Sequence, residues 1–261
     1  MSGQVHRSDP RILNRRTLER DHRRLAGRLA DGMVVLDVGC GSGAITAGIA
    51  RRVGPSGYVV GVDRDASLLG LARQEHHDLP NVSFELEDAA LLPFEDRFDV
   101  VTAARTLQWV DSPERVLMQM KKAAKVGGLI FVLDYNHQDS TWEPDPPAEF
   151  VRFYSALLQW RTANNWDNRI ADHLPEMLRS TGLVDVRTCL DDEITVRGDA
   201  EFTTAAAIWP YVIDSVGPQL AASGFLAEEE QSRAAESYSE YLRTGLQRQT
   251  LSMRTVEGTK R

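Results

Sequence analysis

The sequence predicts an α/β protein, a doubly wound and mostly parallel sheet with helices on both faces. Three observations carry this. Short apolar runs alternate with helical patterns through residues 33–134, the rhythm of parallel strands joined by crossover helices. Several runs end at or beside an acid, as at Asp63, Asp88 and Asp134. The first run, VVLDV, passes straight into three alternating glycines, Gly39, Gly41 and Gly43.

Residues 9–30 place Leu13, Leu18, Leu25 and Leu29 near helical spacing behind Ser8-Asp9-Pro10, and predict one amphipathic helix. Its arginines, Arg15, Arg16, Arg20, Arg23, Arg24 and Arg28, read as a solvated face partly paired with Glu19 and Asp21. The first strand is expected at 33–38, and a helix begins at Ala44. A Gly-Pro-Ser-Gly turn at 54–57 precedes a strand at 58–63. A helix over 65–77 leads to a third strand at 81–86, and a turn at 93–96 to a fourth at 98–103. Ser112 and Pro113 open a helix as cap and first residue. Gly127-Gly128 ends it before a fifth strand at 129–134.

Beyond Asp134 the pattern changes. Residues 135–149 form a loop of the length that is often functional. Helices are expected at 150–163 and 169–181, a long strand at 184–196, mostly helix over 200–248, and a last strand at 250–256. The 261 residues make a single domain. Its core is about 30–136 with 183–198 and 249–258, and helical cap segments occupy about 137–182 and 199–248.

Composition excludes several classes. A net charge of −8 argues against a general nucleic-acid binder. Cys40 and Cys189 are the only cysteines and lie far apart, which speaks against a disulfide framework and for the cytoplasm. The first ten residues lack the apolar core of a signal peptide. No run approaches the roughly 18 apolar residues of a membrane span.

The chemistry gathers where the strands end. Glycines accept positive φ and let a ligand approach the backbone, and the following helix start offers free N–H groups. Asp63 lies about 20 residues past the loop, where a carboxylate accepts ribose hydroxyls in dinucleotide sites. Asp88 and the Ala89 amide offer an acceptor and a donor for an adenine edge. The glycines alone also fit the fingerprint of NAD or FAD sites. Asp37, just ahead of them, would repel a pyrophosphate. It suits a ligand with a cationic amino group and a sulfonium, which is S-adenosylmethionine.

These segments, in this order, resemble the class I S-adenosylmethionine-dependent methyltransferases. The nearest group is the small-molecule "type 11" branch, similar to the ubiquinone/menaquinone-biosynthesis methyltransferases. VLDVGCGSG resembles the family's first motif, GVDRD its second and EDAALLPFEDRFDVV its third, while KKAAKVGGLIFVLD resembles the stretch around the fifth strand. The resemblance implies a Rossmann-like seven-stranded sheet with an antiparallel last strand. It implies Asp37, Gly39 and Gly41 along the methionine part of the cofactor, Asp63 on the ribose, Arg64 beside the adenine and Asp88 with Ala89 at its edge. Ala104, Arg105 and Thr106 would lie near the methionyl end. Many relatives carry histidines after the fourth strand, where this chain has Leu107-Gln108-Trp109. The mostly helical 199–248 replaces a short hairpin and is a candidate cap or dimer element.

Outside the motifs, His137 follows the fifth strand and is the candidate general base. Tyr135, Trp142, Arg161 and Trp166 are candidates for an acceptor pocket, as are Trp160 and Arg169, and the tryptophans equally suit packing. Cys40 reads as filler between glycines, and His76-His77 as a solvated helix end. No spacing of His, Cys and carboxylates reads as a metal site. The expected function is methyl transfer to a small-molecule acceptor at O, N or C. An NAD(P)-dependent oxidoreductase and a non-catalytic cofactor-binding protein are the alternatives.

Overall fold

A computed structural model describes residues 8–261. It begins with three short helices, α1 (Pro10–Leu13), α2 (Leu18–Asp21) and α3 (Arg23–Ala26). Then come β1 (Val34–Val38), α4 (Ala44–Val53), β2 (Tyr58–Asp63), α5 (Ala66–Glu75), β3 (Val82–Leu86), β4 (Phe98–Ala104), α6 (Pro113–Ala123) and β5 (Ala124–Tyr135). Next are β6 (Thr141–Glu143), α7 (Ala148–Ala163), α8 (Ile170–Ser180), β7 (Val184–Leu190) and β8 (Glu193–Val196). The chain closes with α9 (Phe202–Ala206), α10 (Ile208–Ala222), α11 (Glu228–Thr244), β9 (Arg248–Leu251) and β10 (Met253–Thr259).

These elements form two compact units. The larger comprises Leu13–Asp134, Ile170–Leu190 and Arg254–Arg261, and the smaller comprises 8–12, Tyr135–Arg169 and Asp191–Met253.

The larger unit holds a seven-stranded sheet in the order β3-β2-β1-β4-β5-β10-β7. β1 pairs in parallel with β2 and β4, β2 with β3, and β4 with β5, while β10 is antiparallel to β7. The seven strands and the antiparallel last strand are as expected. Successive strand residues point to opposite faces, and both faces are covered. Val35, Val59 and Val100 pack with Ile49 and Val53 of α4 on one side. Leu36, Val60 and Val101 pack with Leu117 and Met120 of α6 and Leu174 of α8 on the other. That is why the central strands read as unbroken apolar runs.

The single helix expected over 9–30 is three pieces instead. Thr17 Oγ1 accepts from Arg20 N at 3.2 Å and starts α2. His22, at φ −147°, separates α2 from α3. Of the pairings expected for the arginines, that with Asp21 is present, while others reach partners far along the chain. Arg20 bonds Asp21 at 2.9 Å, Arg28 pairs with Glu257, and Arg24 donates to the Leu190 carbonyl at 3.0 Å.

The smaller unit carries the antiparallel sheet β6-β9-β8 and helices α7 and α9–α11. Two expected strands are each broken in two here. The run 184–196 divides at Asp191-Asp192 into β7 and β8, and 250–256 divides at Ser252 into β9 and β10. The bends brace each other: Asp191 N donates to the Met253 carbonyl at 3.0 Å, and Met253 N to Asp192 Oδ1 at 2.9 Å. The loop expected at 135–149 includes β6, which pairs with β9.

Candidate cofactor site

The site is built on the carboxyl ends of β1, β2 and β3. β1 is buried because both faces of the sheet are covered, and this drags Asp37 inside with it. Asp37 is 3% exposed, and Thr46 Oγ1 in the first turn of α4 donates to its Oδ2 at 2.6 Å. Burial pushes the Asp37 carboxyl up to about 6, against the lowering effect of the Thr46 bond.

The loop then turns through Gly39, Gly41 and Gly43, at φ +75°, +56° and +79°. Space as well as backbone geometry favours glycine at all three, since a Cβ at Gly43 would stand 2.7 Å from the Phe84 ring. A Cβ at Gly39 would run into the Thr106 side chain, and one at Gly41 would stand 2.8 Å from Leu13 Cδ1. The N–H groups of Gly39 and Cys40 both donate to the Val62 carbonyl, at 2.8 and 3.0 Å, locking the loop to β2.

Asp63 ends β2 with its carboxylate fixed by two backbone donors. Gly41 N bonds Oδ2 at 2.8 Å and Asp65 N bonds Oδ1 at 3.0 Å. Each oxygen keeps a further lone pair for a hydroxyl donor. Asp88 follows β3 and is exposed. Its Oδ1 accepts from Ala90 N at 2.8 Å, capping a short 3₁₀ turn at Ala89–Leu91. Arg64 is exposed and Ala89 half-buried.

Arg105 is differently engaged. It adopts φ +58°, its N–H donates to the Leu133 carbonyl at 2.7 Å, and the guanidinium is buried. Nη1 donates to the Asp21 carbonyl at 2.9 Å, and Nη2 lies 3.8 Å from the Asp21 carboxylate. The sequence shows the cation but not this partner at the far end of the N-terminal segment. Thr46 is a partner of Asp37 that sequence reasoning missed, although its place just after the glycine loop, on the inward face of α4, marks it.

The donor and acceptor set fits S-adenosylmethionine. Three carboxylates stand at successive strand ends, suited to an ammonium, a ribose diol and an adenine amine. The N–H groups of Gly39 and Cys40 are spent on Val62, that of Gly41 on Asp63 and that of Gly43 on Cys40, so these four do not form an anion nest for a pyrophosphate. Among the described residues no group of three or more His, Cys, Asp or Glu is placed to hold a metal. Cys40 is half-buried with its thiol pushed up by burial, as suits filler.

The smaller unit gathers the other candidates. The rings of Tyr135 and His137 stack at 5.0 Å. His137 N donates to the Asn168 carbonyl at 2.8 Å, and Tyr154 OH to the His137 carbonyl at 2.6 Å. Burial, and then the Arg161 charge, hold the His137 imidazole well below its ordinary range. Arg161 is fully buried, and its Nε donates to Asn168 Oδ1 at 2.7 Å. His137, Arg161, Asn168 and Tyr154 thus form one polar cluster, of which sequence reasoning found only the first two.

Trp142 belongs to an aromatic cluster. Its ring lies 5.1 to 5.5 Å from those of Phe150, Tyr154 and Trp209. At its centre Gln249 Oε1 accepts from Trp142 Nε1 at 3.1 Å, Trp209 Nε1 at 2.8 Å and Tyr238 OH at 3.1 Å. Alternation along β9, which turns Gln249 and Leu251 inward together, is the only sequence signal for that glutamine. Trp166 packs instead edge-on against Trp160, at 5.1 Å.

Comparison with known proteins bears on the family and the fold. The family model described as "Methyltransferase domain" matches residues 29–179. The chain is 38% identical over 145 residues to the ubiquinone/menaquinone biosynthesis C-methyltransferase UbiE of Pseudomonas paraeruginosa, covering 54% of this chain and 53% of that protein. It therefore spans about half the length of the curated relatives it matches. Among solved structures, Haemonchus contortus phosphoethanolamine N-methyltransferase 2 aligns with TM-score 0.57 at 16% identity, over 91% of this chain and 51% of that one. Bacillus subtilis YcgJ aligns with TM-score 0.57 at 17% identity, over 92% and 97%. At those identities the structures speak for the fold alone. The chain belongs to the methyltransferase-domain family, as a class I S-adenosylmethionine-dependent methyltransferase.

Proposed function

We propose that this protein transfers a methyl group to a small-molecule acceptor. The observation that carries the reading is the row of carboxylates at the ends of β1, β2 and β3, set around a loop in which the amides of all three glycines and of Cys40 are already spent. When bound, S-adenosylmethionine supplies a methyl made electrophilic by its sulfonium. The chain's part is binding and alignment. Asp37 would hold the ammonium beside Gly39 and Gly41, with Gly43 starting α4. Asp63 would take the ribose hydroxyls, and Asp88, with Ala89 and Arg64, would bound the adenine. Arg105 would act through Asp21 rather than on the cofactor itself.

His137 is the proposed base for a hydroxyl acceptor. Its imidazole is held neutral and so is unprotonated at pH 7, while the same burial and the Arg161 charge make it a weak base, so its part would be to accept a hydrogen bond from the acceptor hydroxyl as the proton leaves. An amine or an activated carbon would not need it. Tyr135 and Arg161 are assigned to acceptor recognition through the same cluster. We assign Trp142 and Trp166 to packing, because their rings are buried against other aromatics. The acidic charge supports an acceptor other than nucleic acid, and the two free cysteines support a cytoplasmic site of action. No helix among the described residues is long and apolar enough to cross a membrane. A homodimer through 199–248 remains part of the proposal, tested by light scattering.

Calorimetry tests the cofactor. Binding of S-adenosylmethionine and S-adenosylhomocysteine is expected, and binding of NAD(P) without either would overturn the reading. A screen for S-adenosylhomocysteine release over phenols, amines, carboxylic acids and quinol precursors then identifies the acceptor. The name of the Pseudomonas relative puts quinol precursors first.

A further inference from the structure

The turn that follows α1 lies on the glycine loop itself. The absent Cβ of Gly41 leaves the space that Leu13 Cδ1 occupies, and Gly41 is the residue whose N–H orients Asp63. Two anchors hold this turn in place. Asn14 Nδ2 donates to Glu75 Oε1, at the last residue of α5, at 2.9 Å. Leu18, fully buried in α2, presses on α4 where a Cβ at Gly48 would stand 2.7 Å from its own. Arg16 N donates to the Leu13 carbonyl at 3.1 Å and closes the turn between the anchors. Arg105 extends the support by donating to the Asp21 carbonyl at the end of α2. The turn is therefore pinned to both helices that leave the cofactor-binding loops.

We propose that Leu13 is a further cofactor-binding residue, a roof over whatever Asp63 and Gly41 hold, and that the Asn14–Glu75 hydrogen bond is its latch. This rests on the cofactor reading above. Leu13 is half-buried, and Asn14 and Glu75 are exposed, so the latch can open without disturbing the core. A ligand bound at Gly41 would be covered on release of water by one apolar side chain, and its departure would wait on the turn lifting.

The test is the dissociation rate of S-adenosylhomocysteine, measured by stopped flow on the full chain with Asn14→Ala, Glu75→Ala, the double variant and Leu13→Ala. Loss of one hydrogen bond to a carboxylate corresponds to roughly a 10-fold faster release. Each latch variant should reach about that, and the double variant should add nothing, because both remove one bond. Leu13→Ala should weaken binding roughly 10-fold or more. A merely structural turn would instead lower the melting temperature of the cofactor-free protein and leave the release rate alone, and that result overturns the roof. So does tight wild-type binding with unchanged release in every variant. Failure of the wild type to bind S-adenosylhomocysteine at all overturns the cofactor reading, and the roof with it.

Discussion

The candidate site groups of the two units are held in different ways. In the larger, the carboxylates at the ends of β2 and β3 are held by backbone N–H groups and keep acceptor capacity in reserve. Asp63 takes Gly41 and Asp65, and Asp88 takes Ala90. In the smaller, side chains satisfy one another. Gln249 collects three donors on one oxygen, and Asn168 bridges Arg161, Leu158 and Thr162. Backbone-held acceptors set a fixed geometry that tolerates change in neighbouring side chains. A side-chain network is more easily retuned, and also more easily broken, since losing one member strands several others. A common cofactor fits the first design, and a variable acceptor fits the second.

The sharpest way to break that comparison is Gln249→Leu. It leaves two indole N–H groups buried without their acceptor, at about 1–3 kcal/mol each, and the Tyr238 hydroxyl with the Ala206 carbonyl alone, at 3.4 Å. We expect a loss of about 2–6 kcal/mol in denaturant unfolding with affinity for S-adenosylhomocysteine retained. A collapse of affinity alongside stability would show that the two designs are not separable. Asp63→Ala should remove about 3–6 kcal/mol of charge-assisted bonding to the ribose, read by calorimetry as a loss of about 1000-fold, with the acceptor cluster intact.

His137→Gln sharpens the other side. With a hydroxyl acceptor, turnover should fall about 100-fold while S-adenosylhomocysteine affinity stays unchanged. An unaltered pH–rate profile would remove the base assignment. The smallest effect expected is the pH dependence of cofactor affinity. Asp37 is neutral below about 6 and ionises above it, so affinity for an ammonium-bearing ligand should rise about 10-fold between pH 5 and 7. Asp37→Asn should flatten that rise. The same raised carboxyl contributes stability that is full below its ordinary 3.8 and is lost as pH climbs through about 6.

The larger unit was legible because its signals are local. An apolar run, a positive-φ turn and a strand-end acid each leave a mark within a few residues, and Asp37, Asp63 and Asp88 emerge from those marks alone. The breaks at Asp191-Asp192 and Ser252 left none. The alternating pattern runs through both, and what bends them is the bonding of Asp191 and Asp192 to Met253, far along the chain. The N-terminal segment failed for a related reason. Its leucine spacing suits a helix, but Thr17 starts a new one and His22 stops it. The Arg161–Asn168 and Gln249 networks were equally hidden, since a buried polar residue shows in sequence only as an exception to a pattern.

The place of β10 has a kinetic consequence. Among the described residues β7 has no neighbour in the sheet but β10, and residues 191–252 intervene between them. Bringing such distant strands together is entropically uphill unless the intervening segment has already condensed into a short effective tether. The edge of the larger sheet should therefore be the last part to order. Pulse-labelled hydrogen exchange during refolding should show the amides of β7 and β10 protected after those of β1, β2 and β4, and protection of β7 ahead of the 191–253 segment would reverse this order of assembly.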